Sequence, residues 1–402
     1  MKKVTSLALA LILITCLILT GCGTSNQAAP APAEPAAPAA PAADAGTDSA
    51  ATTTEESNLK IDGKDNWDEI DKLLEAKRIM PEKTGLEVPP SNKDKITIGM
   101  VSSALNTQYD LVFAGANEKA ASYGDGVVTL LTAGPSSQSA NVEQIAIVEA
   151  WIQQGVDAIC IATVNEEMMQ SVYKEAADAG IPIFMFNTPI SEVNNPYFVA
   201  NIGYCQYESG YQFGKYFANK YAGQDLDIVL IHGFLGTHDG ERMQGFYDAS
   251  GAVSQVTAEN TTNGRNPNFK VIAEPIGEWV RDASQIAMEG VLQACPHIDI
   301  VWSDYDEMSL GALVSIKAAG RQDEMTVYGH DATPDGIAAV QSGDMGGTID
   351  TVSKQMGIEC IETIVKYCME GQDVPKAIYQ TPIMWDTENV DQFDESEFVW
   401  VK

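Results

Sequence analysis

The chain is 402 residues long, 45% of them hydrophobic, and its 56 acidic against 24 basic residues give a formal net charge of −32. This length and hydrophobic content predict a globular protein with two domains. So acidic a surface repels phosphates and anionic lipid headgroups, which argues against nucleic acid as a partner.

The first 21 residues have the pattern of an export signal. Lys2 and Lys3 precede an apolar run from Leu7 to Leu19, which is too short for a comfortable membrane span. The run ends in Leu-Thr-Gly-Cys at 19–22, which resembles the bacterial lipoprotein signal. The resemblance implies that residues 1–21 are removed and that Cys22 is acylated, which would anchor the protein at the outer face of the cell membrane. More than one acyl chain is needed for a stable anchor.

Two segments separate this signal from the regular part of the chain. Residues 22–58 consist mainly of Ala, Pro, Thr and Ser, a composition that builds no core and predicts a disordered tether. Residues 59–94 form an N-terminal extension with one helix. Asn66 and Glu69 make a capping box at its start, and Pro81 ends it. We expect this helix to pack against the main body.

From residue 95 onward, apolar β-branched stretches alternate with helical ones. The first strands are predicted over 96–101, 127–132, 157–163 and 182–186, with helices over 109–123, 138–154 and 166–179. A period of roughly thirty residues per strand and helix is typical of βαβ units, which build a parallel sheet.

The series restarts after residue 200, which predicts a second sheet. Its strands are expected over 227–232, 269–273, 299–303, 325–329 and 347–350, with helices over 204–221, 240–252, 281–294, 306–319 and 335–341. A helix over 354–369 and a strand over 377–384 remain at the end of the chain. We expect them to return to the first sheet.

The predicted fold class is therefore α/β, with two doubly wound parallel-sheet lobes joined by a hinge of several strands. We assign residues 95–201 and 352–385 to lobe 1, and residues 202–350 and 386–402 to lobe 2. The chain is expected to cross between the lobes near 201–203, 350–352 and 384–387. Open sheets of this kind bind ligands at the carboxyl ends of their strands.

Polar and aromatic residues collect at these predicted strand ends. Each could serve only the fold, as a turn residue, a surface ion pair, a core aromatic or a helix cap. As a set they suit a small polyhydroxy ligand, because carboxylates, amides and a guanidinium bond hydroxyls and aromatic faces cover a sugar ring. The candidates are Asn106, Tyr109, Asp110, Asn187, His238, Asp239, Arg242, Trp279, Tyr305 and Asp331.

Asp331 shows both possibilities most clearly. It follows a predicted buried strand directly, but Thr333 and Pro334 are a favourable helix start, so a capping role is open. Further acids, Asp304 and Asp306, stand at a neighbouring strand end. Such crowding would also suit an amino sugar or another cationic ligand.

Four segments carry a resemblance to a known family. They are "GIPIFMFNT" at 180–188, "GERMQGF" at 240–246, "DEMSLGAL" at 306–313 and "GHDATPDG" at 329–336. From about residue 95 to 385 the chain resembles the type I periplasmic binding proteins for monosaccharides, the ribose- and galactose-binding family. The resemblance implies that fold and a ligand site in the cleft between the lobes.

The resemblance also implies roles for single residues. Arg242 and Asp331 stand where the family binds sugar hydroxyls, and Tyr109 and Trp279 stand where it stacks aromatic rings on the sugar. The pair His238–Asp239 matches the galactose type less closely.

Several positions depart from the family pattern. Tyr305 stands where relatives carry Asn, and Asp350-Thr351 stand where they carry Gln or Asn, which adds Thr351 to the candidate ligand-binding residues. Asn187, which matches the galactose type, and Thr188 stand where ribose binders have an Asp-Arg pair. Plain ribose is therefore disfavoured as the ligand.

The resulting hypothesis is a lipid-anchored solute-binding protein, expected to be a monomer, that hands a monosaccharide or related polyol to the permease of an ABC importer. No cofactor or metal is implied, because no DxDxDG calcium loop is present and the seven cysteines form no CxxC pair. The alternative is a sensory receptor that reports a sugar, an amino sugar or another small polar ligand to a membrane partner. The residues do not separate these two functions.

Two other classes of protein are disfavoured. An enzyme has little support, because the chain has four histidines and no GxSxG, HExxH or P-loop lysine motif. A transcription regulator, which can share this fold, would need a basic helix-turn-helix near the N-terminus. The chain has an export signal and an acidic linker there instead.

Overall fold

The computed structural model describes residues 67–78, 82–191, 194–256 and 266–396. The predicted export signal, Cys22, the tether over 22–58 and residues 397–402 lie outside these ranges. No helix within the described part of the chain is long and apolar enough to cross a membrane.

A six-stranded parallel sheet forms the centre of lobe 1. Its strands, in spatial order β12-β5-β4-β3-β1-β2, are numbered along the chain as β1 Ile96–Val101, β2 Val128–Ala133, β3 Ala158–Ile161, β4 Ile183–Phe186, β5 Phe198–Tyr204 and β12 Ala377–Gln380. The helices of this lobe are α2 Thr107–Ser122, α3 Asn141–Gln154, α4 Glu166–Asp178 and α10 Ser353–Cys368. Helices cover both faces, so the central strands β3 and β4 are buried along their whole length and read as continuous apolar runs.

Glycines allow the close packing of α2 against α10. A Cβ atom on Gly115 would lie 1.9 Å from the main-chain oxygen of Lys354, and one on Gly357 would lie 1.9 Å from that of Val112. Any larger residue at either position would push the two helices apart. This contact holds α10, which returns from lobe 2, against the first sheet.

A seven-stranded sheet forms the centre of lobe 2, and it is parallel except for one edge strand. In the order β13-β11-β10-β9-β6-β8-β7 it contains β6 Leu226–Ile231, β7 Val253–Ser254, β8 Phe269–Ala273, β9 Ile300–Ser303, β10 Thr326–His330, β11 Gly347–Asp350 and β13 Ile383–Asp386. Its helices are α5 Gln206–Lys220, α6 Thr237–Ser250, α7 Arg281–Ala294, α8 Asp306–Ala318 and α9 Pro334–Gln341. The α/β class with two wound sheets is confirmed.

Two strand predictions were wrong in ways that affect the hinge. β5, over 198–204, was missed, and the predicted lobe boundary at residue 201 falls inside it. The strand predicted over 377–384 is two strands, with β12 in the first sheet and β13 in the second. Pro382 lies between them and cannot donate a hydrogen bond to either sheet. The chain therefore crosses between the sheets after β5, after β11 and after β12.

The predicted helix of the N-terminal extension is α1 Trp67–Lys77. Leu74 is buried in a small apolar cluster that includes Tyr207 and Tyr211 of α5, and Leu73 packs against the same cluster. The expectation that this helix packs on the main body is confirmed.

Candidate functional site

A cavity of about 300 Å³ lies between the two lobes, at the carboxyl ends of both sets of strands. This volume includes space that opens to solvent, and a cleft between two lobes is a common location of small-molecule sites. Eight of the predicted site residues line it, together with three that the sequence analysis did not single out. The lining residues are Asn106, Gln108, Tyr109, Gln138, Val164, Asn187, His238, Arg242, Trp279, Tyr305 and Asp331. The cavity continues outward into the cleft mouth, where Ser139 and Leu235 are exposed and Asn165 is half-buried.

The Asp331 carboxylate is held on one oxygen. Its Oδ1 accepts hydrogen bonds from Gln108 Nε2 at 2.9 Å and Thr351 Oγ1 at 3.0 Å, and lies 3.0 Å from His330 Nδ1. No described residue forms a hydrogen bond to Oδ2. The residue has a φ of +91°, an unfavourable backbone conformation for a residue other than glycine. Fixed in this way, the carboxylate keeps one oxygen for a ligand.

The helix-capping role that the sequence left open for Asp331 belongs to a different residue. Thr333 Oγ1 accepts a hydrogen bond from the Gly336 N–H at 3.2 Å at the start of α9. The buried Asp306 in turn accepts from the Thr333 N–H at 2.7 Å, and from Thr348 Oγ1 at 2.7 Å. Burial raises the pKa of Asp306 to about 8, although these hydrogen bonds oppose the shift. Asp306 holds the loop, and Asp331 is free of that task.

Arg242 is buried and fixed by three different partners. Its Nε donates to Gln206 Oε1 at 2.7 Å, Nη2 donates to the Tyr204 hydroxyl at 2.6 Å, and Nη1 donates to the main-chain oxygen of Asp304 at 2.8 Å. The guanidinium carbon lies 5.2 Å from the centre of the Trp279 ring, within cation–π distance. The charge is therefore held rigidly at the cavity wall.

The groups around Arg242 leave the cavity close to electrical neutrality. Burial raises the pKa of Asp304 well above its ordinary value, and nearby Asp239 adds to the shift against the opposing charge of Arg242. Burial also lowers the pKa of His238 to about 4. Both groups therefore favour their neutral forms, which leaves the Arg242 cation and the Asp331 carboxylate as the opposite charges among the described lining residues.

Hydrogen bonds link the lobe 1 wall of the cavity to lobe 2. The Tyr109 hydroxyl accepts from Asn187 Nδ2 at 3.3 Å, and Asn187 Oδ1 accepts from Gln206 Nε2 at 3.0 Å. The main-chain oxygen of Asn187 lies 2.9 Å from His238 Nε2, which donates to it as a neutral imidazole. Together with the bond from Gln108 to Asp331, this contact crosses the cleft. The described conformation is therefore a closed one.

Two aromatic residues form the lobe 2 side of the cavity. A Cβ atom on Gly233 would lie 1.9 Å from the Trp279 ring, so the absence of a side chain there makes room for the indole. Tyr305 is 2% exposed. Its hydroxyl lies near the Gln108 main chain but makes no hydrogen bond of acceptable geometry with any described residue. A buried hydroxyl without a hydrogen bond is destabilising, and a hydrogen bond to a ligand would remove that cost.

The structure does not bring three predicted residues to the cavity wall. Asp110 is exposed in the first turn of α2, where a negative charge stabilises the helix. Thr351 is buried behind Asp331 and bonds to it. Asp239 points away, with Oδ2 2.7 Å from His232 Nδ1 and Oδ1 accepting from the Gly233 N–H.

The Asp239 side chain belongs to a separate buried cluster with His232 and Glu274. Burial opposes charge on His232, but hydrogen bonds to Asp239 and Glu274 outweigh it and raise the pKa of His232 to about 10. Asp239 and Glu274 also line a second cavity of about 920 Å³, outside the cleft, between α6 and β8. Within the described residues, no group of His, Cys, Asp and Glu side chains is arranged to hold a metal ion.

Three lining residues were missed because their types carry little signal. Gln108 stands inside the segment that supplied Asn106 and Tyr109, and a polar run at a strand end could have included it. Gln138 and Val164 lie in the loops after β2 and β3. Neither stands out from ordinary loop residues, since only the parallel packing of the sheet brings their loops to the cleft.

Comparison with known proteins shows what the chain is similar to. The family model of the periplasmic binding protein domain matches residues 98–373, which include every lining residue of the cavity. The ribose import binding protein of Escherichia coli is 29% identical over 283 residues, which cover 70% of this chain and 87% of that protein. The xylitol-binding protein of Mycolicibacterium smegmatis is 29% identical over 253 residues, which cover 62% of this chain and 66% of that protein.

A solved structure shares the fold. It is the binding component of the arabinose ABC transporter from Shewanella sp. ANA-3, bound to α- and β-L-arabinofuranose. It superposes with a TM-score of 0.63 at 28% identity, covering 74% of this chain and 93% of that one.

Proposed function

Because the chain belongs to the periplasmic binding protein domain family, we propose that its interlobe cavity captures one neutral monosaccharide or polyol. The similar proteins of this family are substrate-binding proteins of sugar importers and not enzymes. The protein then delivers this solute to the permease of an ABC importer. The cavity between the lobes is the site, and closure of the lobes retains the solute.

The observation that carries the proposal is the set of groups at the cavity wall. Asp331 Oδ2 is an acceptor without a hydrogen bond from the described residues, the Tyr305 hydroxyl is buried and unpaired, and the Trp279 indole supplies an apolar face. Hydroxyl groups can both donate to the carboxylate and pair with the phenol, and the C–H face of a sugar ring packs on an indole.

Charge balance favours a neutral ligand over the cationic one that the acidic residues alone would also suit. Arg242 and Asp331 offset each other, while burial favours the neutral forms of Asp304 and His238. A cation entering this cavity would lie beside the buried guanidinium, and the charge of Asp331, the one acidic residue among the described lining residues, is already offset by Arg242. The named ligands of the relatives above, ribose, xylitol and arabinofuranose, are neutral.

The N-terminal signal supports a location at the membrane. We propose that Cys22, in Leu-Thr-Gly-Cys, is acylated and that residues 23–58 tether the binding domain to the extracytoplasmic face as a monomer. A tethered receptor stays close to its permease, which raises the effective concentration of the pair.

A thermal-shift screen of the mature chain tests the proposed ligand class. The panel is D-ribose, L-arabinose, xylitol, myo-inositol and D-galactose, with D-glucosamine as the cationic comparison. A ligand at a hundred times its Kd stabilises the native state by about 2.7 kcal/mol, so a true ligand raises the melting temperature clearly. Stabilisation by a neutral sugar or polyol is the expected result. A shift with glucosamine but with no neutral compound would contradict the proposal.

A further inference from the structure

The N-terminal extension, residues 67–78 and 82–94, contacts both lobes beside the hinge. It lies outside both sheets and outside the segment that the family model matches, which begins at residue 98. Its first half, residues 67–78, contacts lobe 2, and its second half, residues 82–94, contacts lobe 1.

The second half of the extension is fixed to lobe 1. Glu87 forms an ion pair with Lys376 in which both side chains are almost fully buried. Burial works against a charged Glu87, but its hydrogen bonds with Lys376 and the Thr84 main chain lower the pKa to about 2. The Tyr367 hydroxyl donates to the Val88 oxygen at 2.5 Å, and the Ser91 N–H donates to the Tyr367 oxygen at 3.0 Å.

The first half is fixed to lobe 2. Arg78 forms an ion pair with Glu208 of α5, whose side chain is fully buried. Asp71 accepts a hydrogen bond from the Tyr211 hydroxyl and another from Lys215 Nζ at 3.2 Å. Burial of Leu74 adds apolar contact with the same face of α5. Helix α1 is therefore held by charge, hydrogen bonds and packing together.

The cluster under α1 lies at the hinge itself. It contains Cys205, in the first crossing between the sheets. Tyr379 of β12, the strand that leads to the third crossing, packs against it. The side chains that α1 covers thus come from both lobes. Rotation of lobe 2 away from lobe 1 about these crossings would change their spacing.

We infer that the extension is a strap across the hinge that favours the closed arrangement of the lobes. Helix α1 on lobe 2 and residues 82–94 on lobe 1 can make all their contacts at the same time only in a restricted set of lobe orientations. The free energy of α1 docking therefore adds to the stability of the closed state. A larger closed population raises the apparent affinity for a ligand that binds that state. This last consequence rests on the proposed function, but the effect on the lobes does not.

The test measures the lobe separation directly, without added sugar. Spin labels on bio-orthogonal residues replace Ser139 and Leu235, which are exposed on opposite rims of the cleft. The undocking variant is Asp71→Asn with Leu74→Ser in the full mature chain. The matched control is Glu75→Gln, because Glu75 is exposed on the same helix. Hydrogen exchange of residues 67–78 reports whether α1 has undocked.

We expect faster hydrogen exchange of α1 in the double variant, together with a shift of the distance distribution between the two spin labels to longer values. Glu75→Gln should match the wild type in both measurements. Undocking of α1 with an unchanged distance distribution would overturn the inference. Should the double variant lose cooperative unfolding, Asp71→Asn alone carries the same test, because Asp71 and its partner Lys215 are only partly buried.

Discussion

At the scale of single residues, the cavity depends on side chains that are held in place before any ligand arrives. Asp331 is fixed through Oδ1 and Arg242 through three hydrogen bonds, so neither has to be ordered on binding. Preorganised charges lose less entropy when they engage a ligand, and they discriminate between ligands by geometry. The same fixation makes the consequences of single substitutions predictable.

Asp331→Asn removes the charge and one acceptor while keeping the shape of the side chain. The new amide oxygen can still accept from Gln108 and Thr351, so the loop should be retained. A hydrogen bond to a charged group contributes about 1.5–3 kcal/mol, which predicts roughly ten- to hundredfold weaker binding by calorimetry. The control is Asp335→Asn, an exposed position on α9, which should bind as the wild type does. Equal affinities for both variants would show that Asp331 does not contact the ligand.

Gly233→Ala tests the role of Trp279 without changing the tryptophan. The added Cβ atom would lie 1.9 Å from the indole, which must then move away from the cavity wall. An aromatic contact contributes about 0.5–1.5 kcal/mol beyond its area, so affinity should fall by up to about tenfold. Tryptophan emission should also shift. Gly240→Ala is the control, because a Cβ atom there meets nothing within 4 Å. Unchanged affinity in Gly233→Ala would remove Trp279 from the site.

The pH dependence of stability should carry a contribution from His238. Burial lowers its pKa to about 4 from an ordinary value of 6.5. The unfolded chain therefore binds this proton more readily, and stability that is present above about pH 6.5 is lost as the pH falls toward 4. His330, also near 4, adds to the loss in the same direction.

His238→Gln keeps an N–H donor for the Asn187 oxygen but cannot titrate. Between pH 6.5 and 4, its free energy of unfolding should fall less steeply than that of the wild type, by at most about 1.4 kcal/mol per pH unit. Urea unfolding at several pH values in this range measures the difference. Identical slopes for the two proteins would mean that His238 is not held in its neutral form.

At the scale of elements, several strands were predicted at their exact bounds and one central strand was missed. β1, β8 and β11 were placed at their exact bounds, because each has apolar or β-branched residues in a short run between turn or helix signals. β5 was missed, since Asn201 and Gly203 interrupt its apolar pattern. Asn201 is nevertheless buried, because its Nδ2 donates to the Thr188 oxygen at 2.6 Å, a contact that only the folded sheet creates.

The sequence pattern was also insufficient to predict the direction of single side chains at the site. Asp110 and Asp239 have the residue types and positions of ligand-binding groups, but the turn of each helix directs them elsewhere. Residue type and strand-end position predicted which loops meet at the cavity. They did not predict which side chain of each loop faces it, because that depends on the exact helix start.

The N-terminal segment gives a prediction about localisation. If Cys22 is the acylated residue, Cys22→Ala should release the protein from the membrane fraction. Cys16→Ala, in the apolar run of the same signal, should leave it membrane-bound and serves as the matched control. Fractionation after a high-salt wash measures both. A Cys22→Ala variant that still sediments with membranes would place the anchor elsewhere.

At the scale of the whole molecule, three crossings join the lobes and the cavity lies between them. Direct hydrogen bonds between the lobes, among them Gln108 to Asp331 and His238 to Asn187, span the cleft in the closed conformation. A ligand that enters must separate the lobes or exchange these bonds for its own. The cavity therefore couples binding to hinge motion, and the extension beside the hinge biases the same motion.

The crystal structure of the mature chain with the most stabilising neutral compound of the thermal-shift panel tests the central claim most directly. We expect one molecule in the interlobe cavity, with a hydroxyl about 2.6–3.0 Å from Asp331 Oδ2 and its apolar face on Trp279. A ligand bound instead in the cavity between α6 and β8, beside His232 and Glu274, with the interlobe cavity unchanged, would contradict the claim.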